Sequence, residues 1–377
     1  MPYNFIYVDD TFSKLEEGTI NGLQDGGEIQ INFKKPLAWE TLISELVEQM
    51  PANQGIILDL RLNVEAYAPK TYAKYRGSTL AQELRTLSKE DAGKNDYPII
   101  LISADENIQL SLDQTSYDLF DYVVSKNALG NDKALSYAEL KQKLIWLADG
   151  YAYLNTHAKA LPTILDQKDL SQLDSRFIDV YNQIADKPNH VIARFIVKNL
   201  IERPSFLINE DYLSTRLGID KRSQDWEKLL YTFLPKEALY TGAFSNNYRR
   251  WWMPIIQEFW SHAISAEFGI RNTSAQKKVE LLIGKSGLKE LIPIQKAAKS
   301  KSENFWVNCK ATNVPIDTID GFVLAANENR FAWQEPEYIC IDEALRPTMG
   351  FNISSIEKPR LQKLKEFYEQ NEQRVRK

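Results

Sequence analysis

Gly55-Ile56-Ile57-Leu58-Asp59-Leu60-Arg61-Leu62-Asn63 decides how the first third of this chain is read. A short apolar run with β-branched residues ends in an aspartate. Such a run reads as a strand buried on both faces, as in a parallel sheet. The carboxylate then stands at the carboxyl end of the strand, where open α/β sheets place their ligand crevice. It is either a cap for the segment that follows or a piece of chemistry, and one aspartate leaves both open.

The neighbouring segments repeat the pattern. Asn4-Phe5-Ile6-Tyr7-Val8 is a short apolar run that ends in Asp9-Asp10. Thr11 to Leu23 reads as a helix closed by Asp25-Gly26-Gly27, and Glu28 to Phe33 alternates polar and apolar like an edge strand. Trp39, Leu42, Ile43, Leu46 and Val47 recur at helical spacing, as do Leu80, Leu84 and Leu87 beyond Asp59. Pro98 to Ile102 is a second buried strand ending in Ser103-Ala104, and Leu119 to Val124 a last one, followed by Ser125-Lys126. Tyr137 to Leu147 closes the series, with a pattern that runs on toward Ala160. This alternation predicts an α/β fold, a doubly wound five-stranded parallel sheet.

In such a sheet Asp9, Asp10, Asp59, Ser103 and Lys126 converge on one crevice. Three carboxylates placed together repel and call for a cation, and hard oxygen donors suit Mg²⁺. A lysine and a small hydroxyl beside them suit phosphoryl oxygens. The chemistry this suggests is attack by the Asp59 carboxylate on a phosphoryl group. The competing reading makes these residues helix caps and a solvated lysine.

The segment resembles the receiver domain of two-component response regulators. The resemblance is carried by Tyr7-Val8-Asp9-Asp10, Leu58-Asp59-Leu60, the glycine-led helix Arg76-Gly77-Ser78-Thr79-Leu80, Pro98-Ile99-Ile100-Leu101-Ile102-Ser103-Ala104 and Asp121-Tyr122-Val123-Val124-Ser125-Lys126. It implies that Asp9, Asp10, Asp59 and the backbone carbonyl of Arg61 hold Mg²⁺. It further implies that Asp59 takes a phosphoryl group from a histidine kinase or phosphotransfer protein, and that Ser103 and Lys126 bind its oxygens. Three departures stand out. Asn63 to Tyr75 is longer than usual and carries Tyr67, Tyr72 and Tyr75. Asn127, not proline, follows Lys126. Val123 holds the usual aromatic switch position, and Tyr122, one residue away, points to the other face. Arg61 and Asp105 occupy positions that tune phosphate lifetime in the family, and could pair over the pocket and slow hydrolysis.

The chain has 377 residues and a formal net charge of −5, with 44% hydrophobic residues, an ordinary globular composition that gives no global attraction to nucleic acid or anionic lipid. Two cysteines, the lack of a signal-peptide pattern and the lack of an apolar run long enough to span a membrane predict a cytoplasmic location. Three regions are expected: a receiver domain over 1–130, with a boundary near Gly130-Asn131-Asp132; a mainly α-helical domain over 131–300; and a small α+β region over 301–377.

The middle region holds a winged-helix-like segment. Asn209 to Asp220 reads as a helix and turn, with Ser223 to Leu234 as the next helix. That helix offers Asp225, Trp226, Glu227, Leu229 and Leu230, poor material for reading DNA, so a packing module is the favoured reading. In Tyr248 to Trp260, Trp252, Ile255, Ile256 and Phe259 share a helical face and predict core, whereas Trp251 with Arg249 and Arg250 could form a binding patch. Cys309, Cys340 and the scattered His157, His190 and His262 give no credible zinc set, so the cysteines read as buried small hydrophobes. Leu361 to Val375 is a charged helix. Beyond the first region no separate catalytic domain is recognisable.

The sequence thus predicts a phosphoacceptor whose output is a protein effector, or a phosphate buffer of the kind found in anti-phage operons. The alternatives are a non-phosphorylated scaffold and a DNA-binding regulator using residues 209–234.

Overall fold

A computed structural model describes residues 1–90, 96–113, 115–130, 134–325, 330–347 and 350–375. Asn131 and Asp132, at the expected first boundary, lie outside these. The chain forms two compact units. The first comprises Met1–Leu170, Phe177–Val197 and Thr241–Tyr248, and the second comprises Ser171–Arg176, Lys198–Tyr240 and Arg249–Lys377. No helix among the described residues is long and apolar enough to cross a membrane.

The first unit is built on strands β1 (Tyr3–Val8), β2 (Ile29–Lys34) and β3 (Gly55–Leu58). A short hairpin of β4 (Ala66–Ala68) and β5 (Thr71–Tyr72) follows, then β6 (Ile99–Ser103) and β7 (Tyr122–Ser125). The sheet is parallel and five-stranded, in the order β2-β1-β3-β6-β7. That is the doubly wound order of flavodoxin-like folds, with β2 at the edge as its alternation predicts. Every residue of β3 is buried, as expected for a strand covered on both faces.

Helices α1 (Lys14–Gln24), α2 (Trp39–Gln49), α3 (Gly77–Glu90), α4 (Asp105–Ser111) and α5 (Tyr137–Thr156) connect and cover the strands. Ile6, Val8, Ile56, Leu58, Ile99 and Leu101 pack with Leu42 and Leu46 of α2 and Leu80 and Leu84 of α3. The alternate residues Phe5, Tyr7, Ile57, Ile100 and Ile102 are wholly buried on the opposite face. The last strand starts at Tyr122 and not at Leu119, because Ser116–Leu119 winds into a 3₁₀ turn.

Below the amino ends of β6 and β7, Arg85 is buried between two carboxylates. It pairs with Asp96 at 2.8 Å and with Asp121 at 2.7 Å. Asp121 accepts the Tyr151 hydroxyl of α5 at 2.7 Å, and Asp96 accepts the His190 amide at 2.6 Å. This ties α5 and α8 (Asn189–Ile196), which follows α6 (Leu161–Leu165) and α7 (Ser175–Ile184), to the sheet. The same unit contains Phe244, whose backbone is left-handed (φ 63°). Its ring packs edge-on to Trp146 and Tyr151, and its carbonyl accepts the Trp146 indole N–H at 2.6 Å. A Cβ on Gly150 would fall 1.9 Å from that ring, so the helix needs glycine there.

In the second unit, β8 (Leu207–Asn209) pairs antiparallel with β9 (Arg250–Trp252). Helix α9 (Glu210–Leu217) is capped by Asn209, which accepts the Tyr212 amide at 2.9 Å, and closes on left-handed Gly218. The helix expected from Ser223 starts later, as α10 (Trp226–Lys228) continuing in a π-helical turn over Leu229–Phe233. Residues 220–225 form a turn, held by Asp225 and Ser223 accepting the amides of Glu290 and Ile292. Lys221, Arg222 and Lys228 pair with Asp211, Asp220 and Asp225.

The tryptophan cluster also differs from expectation. Trp251 and Trp252 lie on β9, and α11 (Met253–Phe259) begins only at the turn that holds Pro254. Trp251, Trp252 and Trp260 are all buried, so Trp251 is core and not an exposed patch. Arg249 instead pairs with Glu210 and Glu227. After α12 (Ala275–Ser286), the pairs β10 (Val307–Asn308) with β11 (Pro315–Ile316) and β12 (Gly321–Val323) with β13 (Tyr338–Cys340) surround a small core. Cys309 and Cys340 are both inside it, and the Cys340 amide donates to Cys309 Sγ at 3.2 Å. Helices α13 (Ile341–Leu345) and α14 (Lys358–Val375) end the chain.

Candidate phosphoacceptor site

The parallel register brings the site together. The Asp59 amide donates to the Val8 carbonyl at 2.9 Å, and the Lys126 amide to the Ser103 carbonyl at 2.8 Å. Asp9, Asp10, Asp59, Ser103 and Lys126 therefore meet at the carboxyl ends of β1, β3, β6 and β7. All four smaller residues are at most 5% exposed, and the Lys126 side chain is 12% exposed.

Lys126 sits among the acids. Its ammonium lies 2.8 Å from Asp9 Oδ2, 3.1 Å from Asp59 Oδ1 and 3.1 Å from Glu16 Oε1. Asp9 also accepts the Tyr7 hydroxyl at 3.1 Å and the Thr11 amide at 3.0 Å. Asp59 Oδ2 accepts the Arg61 amide at 2.6 Å. Ser103 Oγ is fully buried and has no hydrogen-bond partner, although it lies near enough to Asp59 to favour its ionised form. Gly77 starts α3 against this loop, and a Cβ there would stand 2.1 Å from the Asp59 carbonyl oxygen.

Asp10 turns away from the lysine. Its Oδ2 accepts the amides of Val64 at 2.6 Å and Glu65 at 2.8 Å, and its Oδ1 accepts the Thr11 hydroxyl at 3.2 Å. The long segment after Asp59 is thereby tied to the acidic pair at its start. At its far end the Tyr75 hydroxyl donates to the Leu37 carbonyl at 2.8 Å. The Arg61 side chain is exposed, and no ion pair joins it to Asp105 among the described residues. Val123 packs with the α2–α3 side of the core, whereas Tyr122 lies under the Lys143 ammonium of α5 at 5.4 Å. The two face opposite sides, as the register argument predicts.

Charge is in excess here. Burial, and next the Asp59 charge, push the Asp9 carboxyl up to about 7 against the pull of Lys126. Burial also raises Asp59, against Lys126 and the Arg61 amide. Burial alone would lower the Lys126 pKa, but Asp59 and Asp9 outweigh it and hold the ammonium charged. Three carboxylates, Asp9, Glu16 and Asp59, thus meet one ammonium, with Asp10 beside them. An all-oxygen donor set with surplus negative charge fits a hard divalent cation such as Mg²⁺. Among the described residues no three acidic, histidine or cysteine side chains stand ready as a metal cage. Lys126 lies between Asp9 and Asp59, and the hairpin amides hold Asp10 Oδ2.

Two residues of the site went unnoticed in the sequence. Glu16 was legible only as the last residue of a Ser13-Lys14-Leu15-Glu16 capping box, which does form. Tyr7 read as a core strand residue.

Neither a protein-family model nor a curated protein matches the sequence. Among solved structures, the chain is similar to a sensor protein from Polaromonas sp. JS666, at 13% identity over 40% of this chain and 98% of that one, with a TM-score of 0.28. It is also similar to the phosphorylated cyanobacterial phytochrome response regulator RcpA, at 15% identity over 41% of this chain and 98% of that one, with a TM-score of 0.24. The strand order β2-β1-β3-β6-β7 by itself makes the sheet of the first unit flavodoxin-like.

Proposed function

We propose that the first unit is a phosphoacceptor, with Asp59 as the residue that takes the phosphoryl group. The observation that supports this most is the pairing of Lys126 with Asp59 at 3.1 Å beside a buried Ser103 hydroxyl that has no partner. A phosphoryl oxygen on Asp59 would give that hydroxyl an acceptor and the ammonium a further anion. The donor is a phosphohistidine of a histidine kinase or phosphotransfer protein. A carboxylate oxygen of Asp59 forms the new P–O bond as the donor's P–N bond breaks. The electron pair of that bond returns to the imidazole.

In this reading Lys126 neutralises charge on the transferred group, and Ser103 donates to one of its oxygens. Asp9, Asp10, Asp59 and the backbone carbonyl of Arg61 would hold Mg²⁺. That ion supplies further charge neutralisation on the phosphoryl oxygens. Output passes by contact with a protein effector, or the protein serves as a phosphate buffer.

The test is incubation of the full chain with acetyl phosphate and Mg²⁺, read by intact mass. One phosphoryl adduct is expected, absent with Asp59→Asn. A second reading, a receiver-like scaffold that is never phosphorylated, draws on the engagement of Asp10 Oδ2 by Val64 and Glu65. It predicts no adduct and no response to beryllofluoride.

A further inference from the structure

Glu16 is buried in the acidic pocket, 3% exposed, and the transfer chemistry above does not use it. Its two oxygens have separate tasks. Oε2 accepts the Ser13 amide at 3.0 Å and the Ser13 hydroxyl at 2.6 Å, closing the cap of α1. Oε1 accepts from Lys126 at 3.1 Å. The cap holds one carboxylate oxygen, so Glu16 is an anion tethered to the first turn of a helix.

The other two partners of Lys126 face competing demands. Asp9 and Asp59 have oxygens that a divalent cation needs, and Asp59 also needs an oxygen for phosphorus. An ammonium that depended on these two alone would compete with the cation for them. With the cation bound and no phosphoryl group yet on Asp59, it would be left buried and short of partners, a costly state. Glu16 removes that conflict.

We infer that Glu16 is a positioning residue for Lys126. It is the standing counter-ion that keeps the ammonium in the pocket while Asp9 and Asp59 are released to cation and phosphoryl group. This rests on the phosphoacceptor reading. It adds a residue that acts through the lysine and touches neither the cation nor phosphorus.

The experiment is Mg²⁺ binding by calorimetry on the full chain, alongside the mass-read adduct assay. Glu16→Gln keeps the shape and an oxygen for the Ser13 cap but loses the charge. It is expected to weaken Mg²⁺ binding about 10-fold, the usual cost of losing a residue that orients a ligand set. Ser13→Ala leaves the charge and frees the carboxylate, and should give a smaller loss in the same direction. The decisive comparison repeats Glu16→Gln in a Lys126→Met background. If Glu16 acts through the lysine, its effect there shrinks. An equal loss in both backgrounds, or no loss in the wild-type background, overturns the inference and leaves the phosphoacceptor reading standing. A wild-type chain that takes no adduct overturns both.

Discussion

Asp10 Oδ2 accepts the amide of Val64 at 2.6 Å, across 54 positions of sequence. With the Glu65 amide on the same oxygen, both lone pairs of that atom are in use. The acidic pair is therefore also the anchor of the β4–β5 hairpin. Asp10→Ala should free these two amides and speed their hydrogen exchange, at a cost of about 1.5–3 kcal/mol, the worth of hydrogen bonds to a charged acceptor. Exchange at Gly77, whose amide donates to the Leu60 carbonyl at 3.0 Å, should change little. Unchanged protection at Val64 and Glu65 would show that the hairpin does not depend on Asp10.

Gly77 opens α3 beneath the Asp59 carbonyl, and there the usual sign of a glycine substitution reverses. In an unconstrained helix, Gly→Ala stabilises by about 0.5–1 kcal/mol. Here the added Cβ would lie 2.1 Å from Asp59 O and 3.2 Å from Leu60 Cα, backbone atoms that cannot rotate away. Gly77→Ala should lower stability by about 1–3 kcal/mol in urea unfolding, and reduce the yield of phosphoryl adduct by displacing the acceptor loop. Equal or greater stability would contradict the close approach.

Metal-free stability should depend on pH through Asp9. Burial and the Asp59 charge raise its carboxyl to about 7 in the fold, from about 3.9 in the unfolded chain. Between these values the folded state binds more protons, so its stability falls as pH rises. The Asp9 contribution is fully present below the unfolded value and is lost through about 7. Unfolding in urea with a chelator, at about pH 5 and about pH 8, should show wild type losing stability relative to Asp9→Asn. The relative loss is on the order of 1–3 kcal/mol. A constant difference between the two proteins would place the Asp9 titration outside that window.

Arg85 lies between Asp96 and Asp121, whose side chains are 1% and 7% exposed. Arg85→Met leaves two buried carboxylates without it, and should cost about 3–5 kcal/mol in denaturant unfolding. Adding Asp96→Asn and Asp121→Asn to that variant should recover part of the loss, since the penalty lies in uncompensated charge. No recovery would mean that Arg85 acts by packing alone.

Much of the first unit was legible because its strands are short, apolar and each ends in a polar residue. Period and punctuation together fixed the parallel order and brought Asp9, Asp10, Asp59, Ser103 and Lys126 to one edge. Glu16 was hidden because one side chain has two tasks. The capping box explains it locally, and its partner Lys126 arrives 110 positions later. Trp252 fits a helical face with Ile255, Ile256 and Phe259, but pairing of Arg250–Trp252 with Leu207–Asn209 overrides that period up to Met253. The β4–β5 hairpin has only two paired positions and carries no alternation to read. Its place is set by the distant Asp10.

The position of Phe244 has a consequence for how the protein is made. A ribosome extends the chain at about 5–20 residues per second. All five strands of the sheet, and the helix that holds Trp146 and Gly150, emerge well before the ring that packs on that helix, since Phe244 lies 98 positions after Trp146. During that interval the nascent first unit has a sheet but an open apolar cleft beside the indole. Its maturation waits on residues translated after part of the second unit. A chain stopped after α5 would keep every acid of the pocket and still leave that cleft unfilled.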